Sequence, residues 1–324
     1  MIMGKKYCFL NPVNPCENIY EMSEDEFSKI AIANKKIFEV YRFEELFSIL
    51  IDNFFEFNRT VLTYADKARV QMFYTQDYFQ KRIDINRAAL NFLSTLNIYH
   101  DFIKNYTKNS GINDLFNNDV SIQRCLVMRH YIQHVESFPI NTTLSYVNGD
   151  TDVMLTSIRF NISPSNLKVE QWEKSTQNKY HKFFSTDENI DLYDLINQGM
   201  VAIQNLQCKV RETLLYTEEY QQQKNFLLAV ERKLTPPDLS YTNNHRYYEN
   251  DIGEVENCFL ATSTIAFIDK NTSRYTCEHS FANQFITTAP DEFVKKCSNK
   301  IFVPEMNQRY QKQAQENLKD DTDA

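Results

Sequence analysis

The sequence predicts a mainly α protein, in which a helical bundle carries an inserted β-hairpin and a small mixed C-terminal appendage. Apolar residues recur at spacings of three and four over long segments, which is typical of amphipathic helices. The period changes to two around one Asn-Gly pair, which predicts a hairpin. The 324 residues include only 5 Gly, all isolated, so the glycine-rich phosphate loops of P-loop NTPases and dinucleotide-binding folds are excluded.

Composition shifts divide the chain into four expected segments. The first residues are polar and interrupted by prolines, whereas the following ones carry the helical periodicity. Pro236-Pro237 marks a boundary, after which the apolar run Cys258–Ile268 predicts a strand, and the last residues are polar and charged. The segments are an irregular lead-in at 1–38, a helical domain at 39–230, a small α+β appendage at 231–307 and a flexible tail at 308–324.

Three helices are predicted in the first half of the helical domain, at about 39–63, 76–108 and 119–136. In the second helix the apolar residues step alternately by four and three, which is typical of a helix packed lengthwise in a bundle. Asp119 or Ser121 is the expected N-cap of the third helix, because either side chain can accept a hydrogen bond from an N–H group of the first turn. Those N–H groups have no partner within the helix itself.

The second half of the helical domain begins with a predicted β-hairpin at about 142–161, which turns at Asn148-Gly149. Asn-Gly favours the tight turn whose backbone twist matches that of the two strands. A short helix at about 163–182 and a long helix at about 190–229 are expected next. Gly199 lies on the apolar face of the long helix and indicates close approach of a neighbouring helix.

The composition favours a soluble, cytoplasmic protein. Seven Cys without a C-x-x-C pair indicate reduced thiols rather than a disulfide framework or a zinc ribbon. Residues 1–12 lack the apolar core of a signal peptide, and no run approaches the length of about 18 apolar residues that a membrane span requires. The net charge of −8 argues against a protein that coats nucleic acid nonspecifically, and no DNA partner is predicted.

The segment Arg129-His130-Tyr131-Ile132-Gln133-His134 brings an arginine and two histidines within six residues. A guanidinium can hold a phosphate bidentately, and an imidazole can move a proton near neutral pH. On a helix, Arg129 and His134 lie about 140° apart, whereas His130 and His134 lie about 40° apart and share a face. We therefore take Arg129, His130 and His134 as the candidate catalytic residues. Arg129 falls within an apolar arc, so we expect it to face a partner in the bundle, a cleft or a subunit interface.

This segment resembles the R-φ-x-x-x-H motif of the HEPN superfamily, in which φ is a polar residue, most often Asn, Asp or His. Phe138-Pro139-Ile140 is similar to the Leu-Pro-Ile that often follows the motif, and Ile85–Ser94 is similar to the long bundle helix that precedes it. The resemblance extends over about residues 40–140, and more loosely over 141–230. His130 stands where Asn is commonest, a departure that bears on specificity and rate.

The resemblance implies a HEPN-like helical bundle that forms a homodimer, in which two copies of the motif face each other across a cleft. It also implies a metal-independent endoribonuclease of a toxin–antitoxin pair or of an antiviral defence system such as abortive infection. RNA is then the substrate, no cofactor is needed, and an antitoxin or another defence protein is the expected partner.

In that chemistry, His134 removes the proton of a ribose 2′-OH or protonates the leaving 5′-oxygen, and the product is a 2′,3′-cyclic phosphate. Arg129 stabilises charge on the phosphoryl group that is transferred. His130 orients His134 or acts on the neighbouring proton.

Two other interpretations of the motif stay open. His130 and His134 have the i, i+4 spacing of two zinc ligands, with His100 or Glu136 as a third, although Tyr131 stands where metalloproteases need Glu. His100 by itself is interpreted as a satisfied, partly buried histidine. Alternatively, the chain is a non-catalytic helical dimer that acts as an interaction or regulatory module, because Arg and His pairs on helices often serve structure alone.

Overall fold

The computed structural model is mainly helical, as the sequence predicts. It describes residues 6–10, 18–69, 75–106, 112–134, 138–148, 154–185, 189–234, 246–251 and 254–276. The helices are α1 (Glu24–Arg69), α2 (Thr75–Tyr106), α3 (Ile112–Asn118), α4 (Val120–His134), α5 (Lys174–Phe183), α6 (Leu192–Leu214), α7 (Glu218–Leu234) and α8 (Thr262–Arg274). The strands are β1 (Lys6–Leu10), β2 (Asn18–Met22), β3 (Ile140–Asn148), β4 (Met154–Ile162), β5 (Ile190–Asp191), β6 (Arg246–Asp251) and β7 (Glu254–Phe259), and two 3-10 turns lie at Pro164–Leu167 and Val169–Gln171. Across these described residues, every helix is too short or too polar to span a lipid bilayer.

The described residues form two compact units that are discontinuous in sequence. The first unit draws them from Met1–Ile49, Ile103–Ile112 and Asn205–His279, and the second draws them from Leu50–Phe102 and Asn113–Gln204. This grouping differs from the predicted linear order of lead-in, helical domain and appendage. The predicted tail at 308–324 and the boundary at Pro236-Pro237 lie outside the described residues.

Residues 24–38 are helical, whereas the sequence analysis places them in an irregular lead-in. Helix α1 begins after Ser23, whose side-chain oxygen accepts the N–H of Glu26 at 3.2 Å. The acidic first turn from Glu24 to Glu26 lies where the unpaired N–H groups of the helix favour negative charge. No Gly or Pro interrupts the 46 residues of α1, so the helix continues to Arg69.

The mixed character predicted for residues 231–307 is confirmed for the described ones, but they share a core with the N-terminal helix. Strands β6 and β7 are antiparallel, and β6 pairs with β1, so that the sheet order is β2-β1-β6-β7. Leu260, Ile265 and Ile268 are buried in one hydrophobic core with residues of α1 and α7. The described C-terminal residues therefore belong to the first unit, together with the N-terminal part of α1.

Helix α8 occupies residues for which the sequence predicted a strand. The predicted strand Cys258–Ile268 is wrong beyond Phe259, where β7 ends. Its many β-branched residues favour a strand by composition. Thr262, Ile265 and Ile268 are nevertheless buried at helical spacing, so the period of the apolar residues is the better guide here.

The single helix predicted at 190–229 is two helices, α6 and α7. Helix α6 ends where the N–H of Leu215 binds the carbonyl oxygen of Arg211 at 2.8 Å. Thr217 then caps α7, because its hydroxyl oxygen accepts the N–H of Tyr220 at 3.3 Å. The Thr-Glu-Glu sequence at this point is an N-terminal helix signal inside an otherwise continuous apolar pattern.

The apolar stripe of α2 is buried, as its spacing predicts. Asn53 of α1 donates a hydrogen bond to the Thr95 hydroxyl at 2.8 Å, and the Tyr64 hydroxyl donates to the Asp84 carboxylate at 2.6 Å. These bonds join α1 to α2 along the apolar seam of the second unit. The stripe residues of this unit are fully buried: Ile85, Ala89, Phe92, Leu96 and Tyr99.

The predicted hairpin is confirmed, since β3 and β4 pair antiparallel from Ile140 opposite Ile162 to Asn148 opposite Met154. The turn residues after Asn148 lie outside the described residues. Strand β5 extends the sheet by pairing Ile190 with Ile162. The sheet thus connects the chain that leaves α4 to the start of α6.

A buried carboxylate holds together three helices of the first unit. Glu44 of α1 accepts hydrogen bonds from Arg211 of α6, at 2.7 Å from Nε and 2.8 Å from Nη2. Gln207 donates to the same carboxylate at 2.9 Å, and Asn271 of α8 donates to it at 2.7 Å. Arg211 Nη1 binds the Tyr275 carbonyl oxygen. The Glu44 and Arg211 side chains are only 1% and 2% exposed, so both charges depend on these protein partners.

Gly199 of α6 lies against Cys125 of α4 at close range, as predicted for a glycine on an apolar helix face. A Cβ atom at position 199 would lie 2.5 Å from the Cys125 sulfur and 4.0 Å from Leu96 Cδ1. The sulfur also lies 3.5 Å from the Leu195 carbonyl oxygen, within reach of a weak S–H···O bond. The absence of a side chain at position 199 therefore allows the α6 backbone to approach α4.

Glu44→Ala is expected to lower the free energy of unfolding by about 3–5 kcal/mol, because it leaves the Arg211 charge buried without its counterion. Glu212→Ala removes a half-exposed partner of Lys209 on α6, and this control is expected to cost less than about 1 kcal/mol. Urea unfolding followed by circular dichroism measures both variants. Equal losses would contradict the role assigned to the buried pair.

Gly199→Ala is expected to destabilise the wild-type chain, because overpacking costs about 1–3 kcal/mol while alanine gains only about 1 kcal/mol in helix propensity. In a Cys125→Ala background the sulfur is gone, and the same substitution is expected to be neutral or stabilising. Thermal and urea unfolding of the four proteins give the coupling energy. An identical effect of Gly199→Ala in both backgrounds would refute the close contact.

Candidate functional site

Helix α4 carries the whole predicted motif, and both ends of the helix are anchored. At its N-terminus the Asp119 carboxylate accepts the N–H of Ile122 at 2.9 Å, so Asp119 is the cap and Ser121 is not. Beyond its C-terminus, the N–H of Phe138 donates to Asn86 Oδ1 of α2 at 2.8 Å. Asn86 Nδ2 donates in turn to the Phe138 carbonyl oxygen at 3.4 Å. This role of Asn86 was not predicted from the sequence. The available signal was a polar residue within a buried helix face.

Tyr131, in the middle of the motif, is a core residue. Its side chain is fully buried, stacked on the Phe138 ring at 5.7 Å and tilted against the Trp172 ring at 5.3 Å. Trp172 in turn lies edge-on to Tyr180 of α5 at 5.4 Å. These ring contacts fix the rotation of α4 about its own axis, and so decide which way the neighbouring motif residues project.

Gln133 joins the motif to α2, because its Nε2 donates a hydrogen bond to the Ser94 hydroxyl at 3.1 Å. Its side chain is exposed, so this bond lies at the surface of the second unit. Two residues of α2 thus bind the chain around the motif. Asn86 binds Phe138, which follows the motif, and Ser94 binds Gln133, which lies within it. The motif is positioned by helix packing rather than by a loop.

Arg129 is half-buried, and its Nε atom is buried without a hydrogen-bond partner among the described residues. A buried donor without an acceptor is costly, so an added acceptor at this point would be stabilising. Arg124, one and a half turns earlier on α4, also has a buried Nε, and its guanidinium lies 4.5 Å above the Phe184 ring. An anionic ligand that reached Arg129 would satisfy its Nε and neutralise its charge.

His130 is half-buried and lies against α5. Its Nε2 atom is 3.3 Å from the hydroxyl oxygen of Thr176, which is buried in the first turn of that helix. The imidazole therefore has one nitrogen directed into the protein.

His134 is the last residue of α4, and its side chain lies outside the described part of the structure. The helical backbone places positions 129 and 134 about 140° apart around the axis, and positions 130 and 134 about 40° apart. The structure thus brings Arg129 and His130 onto one helix that is packed against α2 and α5. The roles of all three residues stay predictions.

Other titratable groups of the second unit lie outside the motif. Burial raises the pKa of the Cys125 thiol to about 12, so that the thiol is unreactive near neutral pH. Burial lowers the pKa of the Lys81 ammonium on α2. His100 is half-buried, its Nδ1 lies 3.3 Å from the Asp101 carboxylate, and its ring centroid lies 4.3 Å from that of Phe116.

The zinc interpretation stays a prediction. In the ranges that the structure describes, no three His, Cys, Asp or Glu side chains are grouped to hold a metal ion. The side chains of His134 and Glu136, which that interpretation uses, lie outside those ranges.

Asp191 caps α6, since its carboxylate accepts the N–H of Tyr193 at 2.9 Å and that of Asp194 at 3.4 Å. Burial, and after it the Asp194 carboxylate, raise the pKa of the Asp191 carboxyl from its ordinary value of 3.8 to about 6. The two N–H groups and Arg159 act in the opposite direction. This cap therefore titrates in mildly acidic solution.

The stabilising contribution of Asp191 is expected to fall as the pH rises from about 4 to about 6. Its folded-state pKa lies above its unfolded value, so the contribution is complete below 3.8 and is lost as the pH rises through about 6. For one proton the slope is at most about 1.4 kcal/mol per pH unit. Asp191→Asn keeps a capping oxygen without the titration. A difference in unfolding free energy between the two proteins that stays constant across this window would rule the assignment out.

No family model, curated protein or solved structure matches the chain. The resemblance to the HEPN superfamily therefore rests on the motif at residues 129–134, the Pro-Ile sequel and the helix before it. A function has to be inferred from the chemistry of these residues and from the surroundings in which the fold places them.

Proposed function

We propose that the chain is a metal-independent endoribonuclease of the HEPN type, which acts in the cytoplasm in a toxin–antitoxin or antiviral defence system. The observation that carries the proposal is the position of Arg129 beside His130 on α4, with the buried Arg129 Nε not bonded to any described residue. A phosphate oxygen of a bound RNA would satisfy this donor and neutralise the guanidinium charge.

The proposed reaction is an internal transesterification of RNA. The ribose 2′-oxygen attacks the adjacent phosphorus, the bond from phosphorus to the 5′-oxygen breaks, and the products carry a 2′,3′-cyclic phosphate and a 5′-hydroxyl. A base receives the 2′-OH proton and an acid protonates the leaving oxygen, and His134 is proposed for one of these transfers. Arg129 stabilises the charge that develops on the phosphoryl oxygens. Because the nucleophile belongs to the substrate, no metal-bound water is needed.

A second copy of the chain is proposed to complete the site. Arg129 and His134 lie about 140° apart around α4, so a single helix does not aim both side chains directly at one phosphate. Two α4 helices facing each other across a two-fold axis would place an arginine and a histidine on opposite sides of the same cleft. An antitoxin or another defence protein is proposed to restrain the activity.

A non-catalytic interaction or regulatory module is the second candidate function. Three residues of the motif have protein partners: His130 binds Thr176, Tyr131 packs on Trp172 and Gln133 binds Ser94. Under this alternative, Arg129 meets a carboxylate of a partner protein instead of a phosphate.

Cells that express the wild-type chain are expected to stop growing and to contain fragmented RNA, whereas an Arg129→Ala/His134→Ala variant at matched expression has neither effect. The purified wild-type protein is expected to cleave RNA in EDTA and to leave 2′,3′-cyclic phosphate ends. The double variant is expected to be slower by about 10²–10⁴-fold. Arg87→Ala removes an exposed arginine of α2 and is the matched control, with wild-type activity expected.

Three results would change this proposal. Intact RNA in cells and with the purified protein would leave the non-catalytic module as the function. Cleavage that EDTA abolishes would favour the zinc interpretation. Equal cleavage by wild type and the double variant would place the chemistry outside the motif.

A further inference from the structure

The hydroxyl of Thr176 has an unusual partner for a helical threonine. Threonine in a helix commonly donates its hydroxyl hydrogen to the carbonyl oxygen one turn earlier. Thr176 makes no such bond, and its hydroxyl instead lies 3.3 Å from His130 Nε2. Five other helical threonines of this chain follow the common pattern: Thr60, Thr63, Thr95, Thr213 and Thr272.

The carbonyl groups one turn before Thr176 are already bonded to other donors. The Glu173 carbonyl oxygen accepts the N–H of Thr176 at 2.9 Å and the N–H of Gln177 at 3.0 Å. The Trp172 carbonyl oxygen accepts Gln177 Nε2 at 2.8 Å. A carbonyl oxygen has two lone pairs, so these bonds alone do not exclude the hydroxyl; among the described residues, however, the hydrogen-bond partner of the Thr176 hydroxyl is His130 Nε2.

This geometry decides which nitrogen of His130 carries a hydrogen. Thr176 is only 6% exposed, so its hydroxyl hydrogen needs a protein acceptor rather than water. If Nε2 carried a hydrogen, it would donate to the hydroxyl oxygen, and the hydroxyl hydrogen would be buried without an acceptor. If Nε2 is unprotonated, it accepts the hydroxyl hydrogen of Thr176, and both groups are satisfied. In a neutral imidazole with an unprotonated Nε2, the ring hydrogen is on Nδ1.

We propose that Thr176 is a positioning residue that holds His130 as the neutral Nδ1–H tautomer. Toward any group that Nδ1 contacts, His130 then acts as a hydrogen-bond donor and not as a base. This inference rests on the proposed endoribonuclease function, and it assigns different roles to the two histidines of the motif. His130 joins Arg129 as a donor toward phosphate oxygens, and proton transfer is left to His134.

The experiment is nitrogen NMR of the full-length protein with ¹⁵N-labelled histidine, at a pH at which the imidazole is neutral. The chemical shifts of the two ring nitrogens distinguish the tautomers, and His130→Gln identifies the signals that belong to His130. In wild type and in Thr176→Ser, which keeps the hydroxyl, Nδ1 is expected to carry the hydrogen. In Thr176→Val, which has the same shape without the hydroxyl, His130 is expected to shift to the Nε2–H form that neutral histidine favours in water.

Two results would overturn the proposal: an Nε2–H tautomer in the wild type, or an Nδ1–H tautomer that persists unchanged in Thr176→Val. Thermal unfolding of the variants shows whether α5 still packs on α4, and the tautomer of the wild type by itself still tests the proposal if the valine variant is unstable. The readout requires no RNA cleavage, so failure of the tautomer assignment and failure of the proposed function are separate outcomes.

Discussion

The buried Glu44 carboxylate is the interaction on which the first unit depends. It accepts four hydrogen bonds, from Arg211, Gln207 and Asn271, and so ties α1 to α6 and α8. A charge excluded from water is tolerated only when each of its oxygen atoms has donors in place. Small rotations or shifts of any of the three helices would break at least one of these bonds. The hydrophobic core around Ile37 imposes no comparable requirement on direction, because hydrophobic contacts are non-directional.

The motif helix in the second unit is governed by a different constraint, which is extensive burial. Helix α4 packs against α2 and α5, and its aromatic contacts through Tyr131 set its rotation. A helix packed in this way has little solvent-exposed surface, so a charged side chain on it generally needs a protein partner. Arg129 Nε is buried without an acceptor in the described part of the chain, and the guanidinium of Arg124 lies over the Phe184 ring. The buried Nε of Arg129, next to His130 on the same helix, is the main physical reason to associate the motif with an anionic ligand.

The sequence predicts well those features that depend on residues close together in the chain. The periodic stripe of α2, the Asp119 cap, the paired strands of the hairpin and the tight contact at Gly199 all appear in the structure as expected. The predictions of secondary structure are wrong where two local signals favour different structures. At α8 a nearly continuous apolar run favours a strand although the buried residues have helical spacing, and near Thr217 a cap signal lies inside a continuous apolar pattern. The polarity of residues 24–38 predicts irregular structure, although their acidic residues are what the first turn of a helix favours.

For the candidate site, the sequence by itself determined which residue types lie on one helix and how they are spaced around it. Spacing along a helix is a local property with a fixed period, so the angular relation of Arg129, His130 and His134 follows from their positions in the chain alone. Only the tertiary structure decided what Arg129 and His130 meet. The bond from Thr176 to His130 joins residues 46 positions apart, and that from Asn86 to Phe138 joins residues 52 positions apart. Such pairs depend on how helices pack in three dimensions, and no local pattern in the sequence encodes that packing.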